Sequence, residues 1–357
     1  MLITDVEYLR CPSTRETLSL VEGYEEINGK IFSGLLVNMS KTKTYKIQFG
    51  IPRFYTEPHG NSTWEYKWRE LDKGTGLNYL VLNKNDPAYN IHDIFDRNDH
   101  QGKAYKSVSE ALCLDIGCGI GQNTIKLIND YEAKKVIAID LQHSAVEIFS
   151  KIVKERYPHL EERILIVQGN AHFLPFETDS FGYVLSLGCL HHSGNTLQAI
   201  AEASRVARGE INFWIYASDI VPIESKETGR EIKKSPFSYF PKMFQYSIIM
   251  FWLRLFRVMP HSISVCILKV FSSATWYYLS KVRFIRFFCN MLFPVPPHPR
   301  KDYRLINLYD GYINTYQETW SESEIFDTLK QNSIVIKGIS KWRLGIWGTK
   351  IKDFYEK

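Results

Sequence analysis

Leu114-Asp115-Ile116-Gly117-Cys118-Gly119-Ile120-Gly121 is the stretch on which the fold turns. The apolar run Ala111–Ile116 leads into it and a helical period, Gln122–Asp130, leads out, so the glycines occupy a tight turn between a strand and a helix. Four more apolar runs follow with helical periods between them: Val136–Asp140, Ile164–Val167, Tyr183–Leu187 and Ile211–Tyr216. After the first of these, Val146, Phe149, Ile152 and Val153 recur at helical spacing and mark the buried face of a crossover helix. Far downstream, Ser321-Glu322-Ser323-Glu324 is a capping box that opens a helix through Lys330, and strands at Ile334–Lys337 and Trp342–Trp347 close the pattern. Continuous apolar runs alternating with helices predict an α/β fold on an open, doubly wound sheet.

Residues 1–56 read differently. Thr17–Val21, Lys30–Phe32 and Thr44–Gln48 are short strand patterns, and Asn28-Gly29 is a hairpin signal. Pro52 and His59-Gly60-Asn61 end this β unit, which is small enough to need its neighbour for stability. The expected organisation is a β module over 1–60, a ligand-binding core over 61–220, an insert over 221–301 and an αβ completion of the core over 302–357.

Across 357 residues, 45% apolar and 23% charged content excludes a disordered chain, a collagen and a coiled coil. Cys11, Cys113, Cys118, Cys189, Cys266 and Cys289 form no C-x-x-C pair, which argues against a disulfide framework and a zinc site; no metal ligands are expected. Met1–Pro12 carries acids and no apolar segment, so no secretory signal is read and a cytoplasmic protein is expected. The net charge of +5 hides an asymmetry: Ile232–Lys301 holds 11 Lys and Arg and no Asp or Glu. The 13-residue uncharged run Phe287–Pro299, with four prolines, falls short of the roughly 20 apolar residues that span a bilayer.

The glycine loop is suited to hold a ligand against backbone N–H groups at a helix N-terminus. In a dinucleotide fingerprint counted from Gly117 the third glycine would fall where Gln122 stands. Asp115, two residues before Gly117, repels a pyrophosphate and attracts a cation. A ligand with an ammonium and a sulfonium fits better than one with two phosphates, which describes S-adenosyl-L-methionine. Asp140 ends the second core strand, where a carboxylate can accept from two ribose hydroxyls; Asn170 and Ala171, after the third, can meet the adenine edge.

These pieces, with Gly169-Asn170-Ala171-His172-Phe173-Leu174-Pro175-Phe176 and Leu190-His191-His192, resemble the class I S-adenosylmethionine-dependent methyltransferases, most of all the small-molecule branch that includes quinone-biosynthesis enzymes. The resemblance covers roughly 110–217 and, more loosely, 305–350. It implies a seven-stranded Rossmann-like sheet with the donor across the strand ends. It assigns Asp115, Gly117, Gly119 and Gly121 to the methionine part, Asp140 to ribose and Asn170-Ala171 to adenine, with Cys118, Gln122, Leu141 and Leu187 in the same pocket. Relatives usually carry Asp at position 170 and a Lys-Pro-Gly-Gly turn where this chain reads Arg205-Val206-Ala207-Arg208-Gly209-Glu210, which shortens the approach to the fifth strand. More faintly, Leu9-Arg10-Cys11-Pro12 and Gly50-Ile51-Pro52-Arg53-Phe54 resemble the zinc-ribbon activator that partners tRNA and protein methyltransferases. Ser13-Thr14 stands where its second cysteine would fall, so the module is expected to be a metal-free packing or lid element.

For chemistry, His191 or His192 after the fourth strand can take a proton from an acceptor, or position it, or serve backbone hydrogen bonds. Tyr216 is a second polar candidate, against a purely structural tyrosine. Trp64, Tyr66 and Trp68 are either packing or a lid over the donor. No Pro-Pro-aromatic run follows the fourth strand and no Pro-Cys nucleophile is present, so nucleic acid is disfavoured and a small-molecule or lipid-linked acceptor is expected. The basic aromatic insert admits three readings: a helical substrate domain, a peripheral contact with anionic membrane, or a nucleic-acid face. Rival functions are a non-catalytic donor-binding scaffold and a nicotinamide oxidoreductase.

Overall fold

A computed structural model of the chain describes residues 1–55, 64–69, 103–216, most of 251–282, 301–313 and, with short gaps, 318–351. The His59-Gly60-Asn61 turn and the insert's 217–247 and 290–300 lie outside the described residues. The chain divides into two compact units, one of residues 1–61, 76–220 and 316–357, the other of 62–75 and 221–315.

The first unit is built on one sheet. Its N-terminal strands are β1 (Leu18–Leu20), β2 (Glu25–Ile27), β3 (Lys30–Asn38), β4 (Thr44–Gln48) and β5 (Ile51–Arg53). Its core strands are β6 (Leu112–Ile116), β7 (Lys135–Asp140), β8 (Ile164–Gln168), β9 (Phe181–Leu187), β10 (Ala207–Trp214), β11 (Ile334–Ser340) and β12 (Gly345–Lys350). Helices α1 (Lys103–Val108), α2 (Gln122–Asn129), α3 (His143–Arg156), α4 (Thr196–Val206) and α8 (Glu322–Gln331) belong to the same unit. Among the described residues the strand order is β1-β3-β4-β5-β8-β7-β6-β9-β10-β12-β11, with β2 beside β3. From β8 to β11 these are the seven strands expected of a Rossmann-like sheet, parallel from β8 through β10 and closed by antiparallel β12 and β11.

The buried pattern follows the sequence. Every residue of β8 is buried, as a parallel strand covered on both faces requires. The expected stripe of α3, Val146, Phe149, Ile152 and Val153, is its buried face. Ser321 and Glu324 form the expected capping box of α8, each side chain accepting the other residue's N–H, at 3.3 and 3.0 Å. Asn28 (φ 51°) and Gly29 (φ 74°) make the two-residue turn between β2 and β3. Of the strand expected over Trp342–Trp347, residues 342 and 343 lie outside the described residues, and the described strand runs Gly345–Lys350.

The N-terminal module shares this sheet rather than standing as a separate body. β5 pairs with β8 in parallel, Arg53 opposite Gln168, and Phe54 N–H donates to Gln168 C=O at 2.8 Å. Arg15 adds a second tie, donating to Leu174 C=O at 2.8 Å and to the Glu202 carboxylate at 2.9 Å. The buried Cys11 thiol lies 3.4 Å from Ser13 Oγ and 3.1 Å from the Tyr45 hydroxyl. Burial pushes this thiol up, but hydrogen bonds from Ser13, Thr14 and Tyr45 outweigh it and bring it down to about 7.

The second unit is helical where it is described: 64–69, 251–256, α5 (His261–Phe271), α6 (Ala274–Leu279) and α7 (Lys301–Tyr312). Phe256, Val265, Leu268, Leu308, Tyr309, Tyr312 and Ile313 form its core, and Tyr66 stacks on Tyr309 with ring centres 5.7 Å apart. Two expected boundaries therefore move. The segment around Tyr66 and helix α7 pack with the insert, because their apolar faces are buried there. Trp64 and Trp68 flank the Lys67 ammonium at 4.2 and 4.7 Å. No helix among the described residues is long and apolar enough to cross a membrane.

Candidate active site

The strand order reverses between β7-β6 and β9-β10, and the crevice beyond the carboxyl ends of these strands is where α/β sheets take ligands. Leaving β6, the chain turns through Gly117 (φ 75°), Gly119 (φ 54°) and Gly121 (φ 84°). Two of these positions admit only glycine for spatial reasons as well. A Cβ on Gly117 would lie 2.2 Å from the Cys189 sulfur, and one on Gly121, the N-cap of α2, would lie 1.8 Å from the Phe149 ring.

Hydrogen bonding in this loop corrects one expectation. Gly117 and Cys118 donate to Ile139 C=O at 2.8 and 3.1 Å, Gly121 donates to Cys118 C=O at 2.9 Å, and Gly119 donates to Asp140 Oδ2 at 2.8 Å. These four N–H groups brace the loop against β7 and itself instead of facing a ligand. The physical reason is the left-handed path, which turns the amides inward. A loop so committed is poorly equipped for a diphosphate and accepts a cation more readily.

Asp140 is half-buried at the end of β7, and its Oδ1 accepts the Gln142 N–H at 2.9 Å. Each carboxylate oxygen thus accepts a backbone N–H, which fixes the direction of the carboxylate. Asp115 is buried, 1% exposed, and accepts the Thr124 hydroxyl at 2.7 Å. Burial pushes its carboxyl up to about 7; the Thr124 bond opposes this and the Asp140 charge adds to it. Cys118, Gly119 and Gly121 are buried too, and burial also pushes the Cys118 and Cys189 thiols up. Gly117, Gln122, Leu141, Asn170, Ala171 and Leu187 are half-buried. Asn170 Oδ1 already accepts the His172 N–H at 2.9 Å, which fixes the side chain and leaves one lone pair for an incoming amino group.

At the ends of β9 and β10, Gly188 N–H donates to Trp214 C=O at 3.1 Å, and four rings gather. His191 is fully buried, 3.9 Å from the Tyr216 ring centre and 4.1 Å from that of His192, with Trp214 edge-on at 6.1 Å. His192 and Tyr216 are half-buried. Sequence reasoning missed the group that fixes this corner, Glu318. Its carboxylate accepts Thr196 N–H at 2.8 Å and Oγ1–H at 2.7 Å, and its own N–H donates to His191 C=O at 2.9 Å. Burial raises the Glu318 carboxyl, but the Thr196 and Trp320 bonds outweigh it and hold the group below its usual range. A chain separation of 122 residues between Thr196 and Glu318 left no signal to find it by.

A family model described as a methyltransferase domain matches residues 113–210. Over this stretch the chain is similar to a methyltransferase domain. The residues present fit S-adenosyl-L-methionine: a half-buried strand-end carboxylate, a buried acid, and a loop whose amides are turned away. Among curated proteins the chain is similar to the uncharacterized methyltransferase YcgJ of Bacillus subtilis (strain 168), 28% identical over 139 residues, 38% of this chain and 53% of that protein. It is also similar to norajmaline N-methyltransferase of Rauvolfia serpentina, 26% identical over 171 residues, 45% of this chain and 55% of that one. The chain spans about half the length of these relatives. Among solved structures, magnesium protoporphyrin IX methyltransferase (ChlM) from Synechocystis PCC 6803 with bound SAH aligns over 82% of this chain and 96% of its own, at 13% identity and a TM-score of 0.43.

Proposed function

We propose that the protein transfers a methyl group from S-adenosyl-L-methionine to a small-molecule acceptor. The observation that carries this reading is Asp140, a half-buried carboxylate braced by the glycine loop at the switch point of the sheet. When bound, the cofactor supplies an electrophilic methyl group on a sulfonium for in-line displacement. Asp140 holds the ribose, Asn170 and Ala171 receive the adenine edge, and the ionised Asp115 favours the positive end through its field. His192, half-buried beside Tyr216, takes the acceptor's proton where the acceptor carries one, while His191 and Tyr216 form the wall that keeps water from the reacting groups. The printed names of two relatives, a norajmaline N-methyltransferase and a probable phthiotriol/phenolphthiotriol dimycocerosates methyltransferase, support an organic small-molecule acceptor.

A lipid-linked acceptor is the narrower form, supported by the 11 Lys and Arg without an acid over Ile232–Lys301. Calorimetry with S-adenosylhomocysteine and with NAD tests the donor: binding of the first alone is expected, and binding of NAD alone overturns the reading. Comparison of metabolites between deletion and parent strains then identifies the acceptor, and a binding-competent protein with no methylated product points to a scaffold.

A further inference from the structure

Arg53 lies in the N-terminal module, outside every motif assigned to donor binding, yet it reaches the turn that carries Asp140 from two sides. The residue is 3% exposed. Its Nη1 donates to Gln168 Oε1 at 2.9 Å, and Gln168 Nε2 in turn donates to Leu141 C=O at 3.1 Å, the carbonyl directly after Asp140. On the other side, Nη1 lies 3.2 Å from His143 Nδ1 and Nη2 lies 3.2 Å from Glu147 Oε1, both in the first turns of α3. His143 Nε2 stands 2.9 Å from the same Glu147 oxygen, so an imidazole with its hydrogen on Nε2 accepts from Arg53 and donates to Glu147. The β7–α3 turn, Leu141 and Gln142, is thus gripped at both ends by one guanidinium. Gln142 N–H donates to Asp140 Oδ1, so the grip sets where that carboxylate points.

Burying a guanidinium costs several kcal/mol of hydration, and an apolar side chain at a strand end would avoid that cost. What an apolar side chain cannot do is hold two separate segments in one planar fork. A different tie between module and core, Lys30 to Glu161 at 2.6 Å, lies at the opposite end of β8, since Glu161 precedes Ile164 where Gln168 ends the strand.

We infer that Arg53 is a positioning residue for donor binding, through which the N-terminal module holds the Asp140 turn in the geometry that receives the ribose. The inference rests on the donor-site reading above. The module then sets donor affinity as well as covering a sheet edge.

The test measures binding of S-adenosylhomocysteine and of its 2′-deoxyribose analogue by calorimetry, on the full chain, for wild type, Arg53→Met, Arg53→Lys, Gln168→Met and the control Lys30→Met. Arg53→Lys keeps the buried charge and stem but lacks the fork, and serves where Arg53→Met does not fold. The folded Arg53 and Gln168 variants are expected to bind S-adenosylhomocysteine about tenfold more weakly. Their preference for the ribose over the deoxyribose ligand should shrink, while Lys30→Met keeps both values. Wild-type affinity and preference in the folded Arg53 variants overturn the inference, as does an equal loss in Lys30→Met with preference unchanged, because that is general loosening. A wild-type protein that binds no S-adenosylhomocysteine overturns the donor-site reading itself, a failure that no variant is needed to recognise.

Discussion

Replacing Asp115 by Asn separates the charge of this buried group from its shape. An aspartate in an unfolded chain titrates near 3.9, whereas burial holds Asp115 at about 7 in the folded protein. Between those values the folded chain binds the extra proton, so the stability contributed by this group falls as pH rises from about 4 to about 7 and stays low above. At 1.36 kcal/mol per pH unit the ionised form costs on the order of 4 kcal/mol at pH 8. Asn cannot ionise and still accepts the Thr124 hydroxyl through Oδ1, but its amide brings donors into a buried site at a cost of about 1–3 kcal/mol. The net expectation is a gain of about 2 kcal/mol at pH 8, a rise in Tm of roughly 4–8 °C, and a loss at pH 5, where the wild-type carboxyl is already protonated. Thermal unfolding at pH 5, 6, 7 and 8 measures this. A difference in Tm that is the same at every pH, or that favours wild type at pH 8, refutes the reasoning. Donor binding reads the same charge from the other side: a cationic donor favours the ionised form, so wild-type affinity for S-adenosyl-L-methionine rises up to about tenfold from pH 6 to pH 8, and the Asn variant loses that rise.

Other expectations are simpler to check. Gly121→Ala combines a left-handed φ of 84° with a Cβ 1.8 Å from the Phe149 ring; denaturant titration should show a loss of about 2–5 kcal/mol. Glu210 accepts from Ser107 Oγ–H, Trp347 Nε1–H and Thr349 Oγ1–H and pairs with Lys337. Glu210→Ala removes this shared acceptor between α1, β12 and β11, and the denaturation midpoint should fall by the equivalent of about 1–3 kcal/mol. With an acceptor in hand, His192→Ala should lower turnover about 100-fold with donor affinity unchanged, and His191→Ala should lower stability; unchanged turnover in both removes histidine from the chemistry. If the insert meets lipid, flotation on anionic liposomes is expected at low salt and lost at high salt.

Much of the fold was written in local pattern. The five core strands, the α3 stripe, the α8 capping box and the Asn28-Gly29 turn all depend on residues close in sequence, and each was legible for that reason. The same is true of the glycine loop, since one strand, one turn and one helix bring Asp115, the glycines and Gln122 together. Asp140 was legible because the end of the next parallel strand must lie beside that loop.

Tertiary structure decided what depends on contacts between distant segments. Sequence marked Asp115 as a charge, but only its full burial shows that the carboxyl resists ionisation. The loop amides were legible as donors, yet the left-handed turns aim them at Ile139, Cys118 and Asp140. Arg53 and Gln168 are 115 residues apart, and Thr196 and Glu318 are 122 apart. No periodicity or spacing couples such pairs, because a hydrogen bond is specified only when the sheet has brought both partners within reach. The sequence by itself determined a parallel α/β sheet and the position of the glycine loop; the packed sheet determined which charges are buried, which amides are committed, and which distant side chains hold the turn after β7.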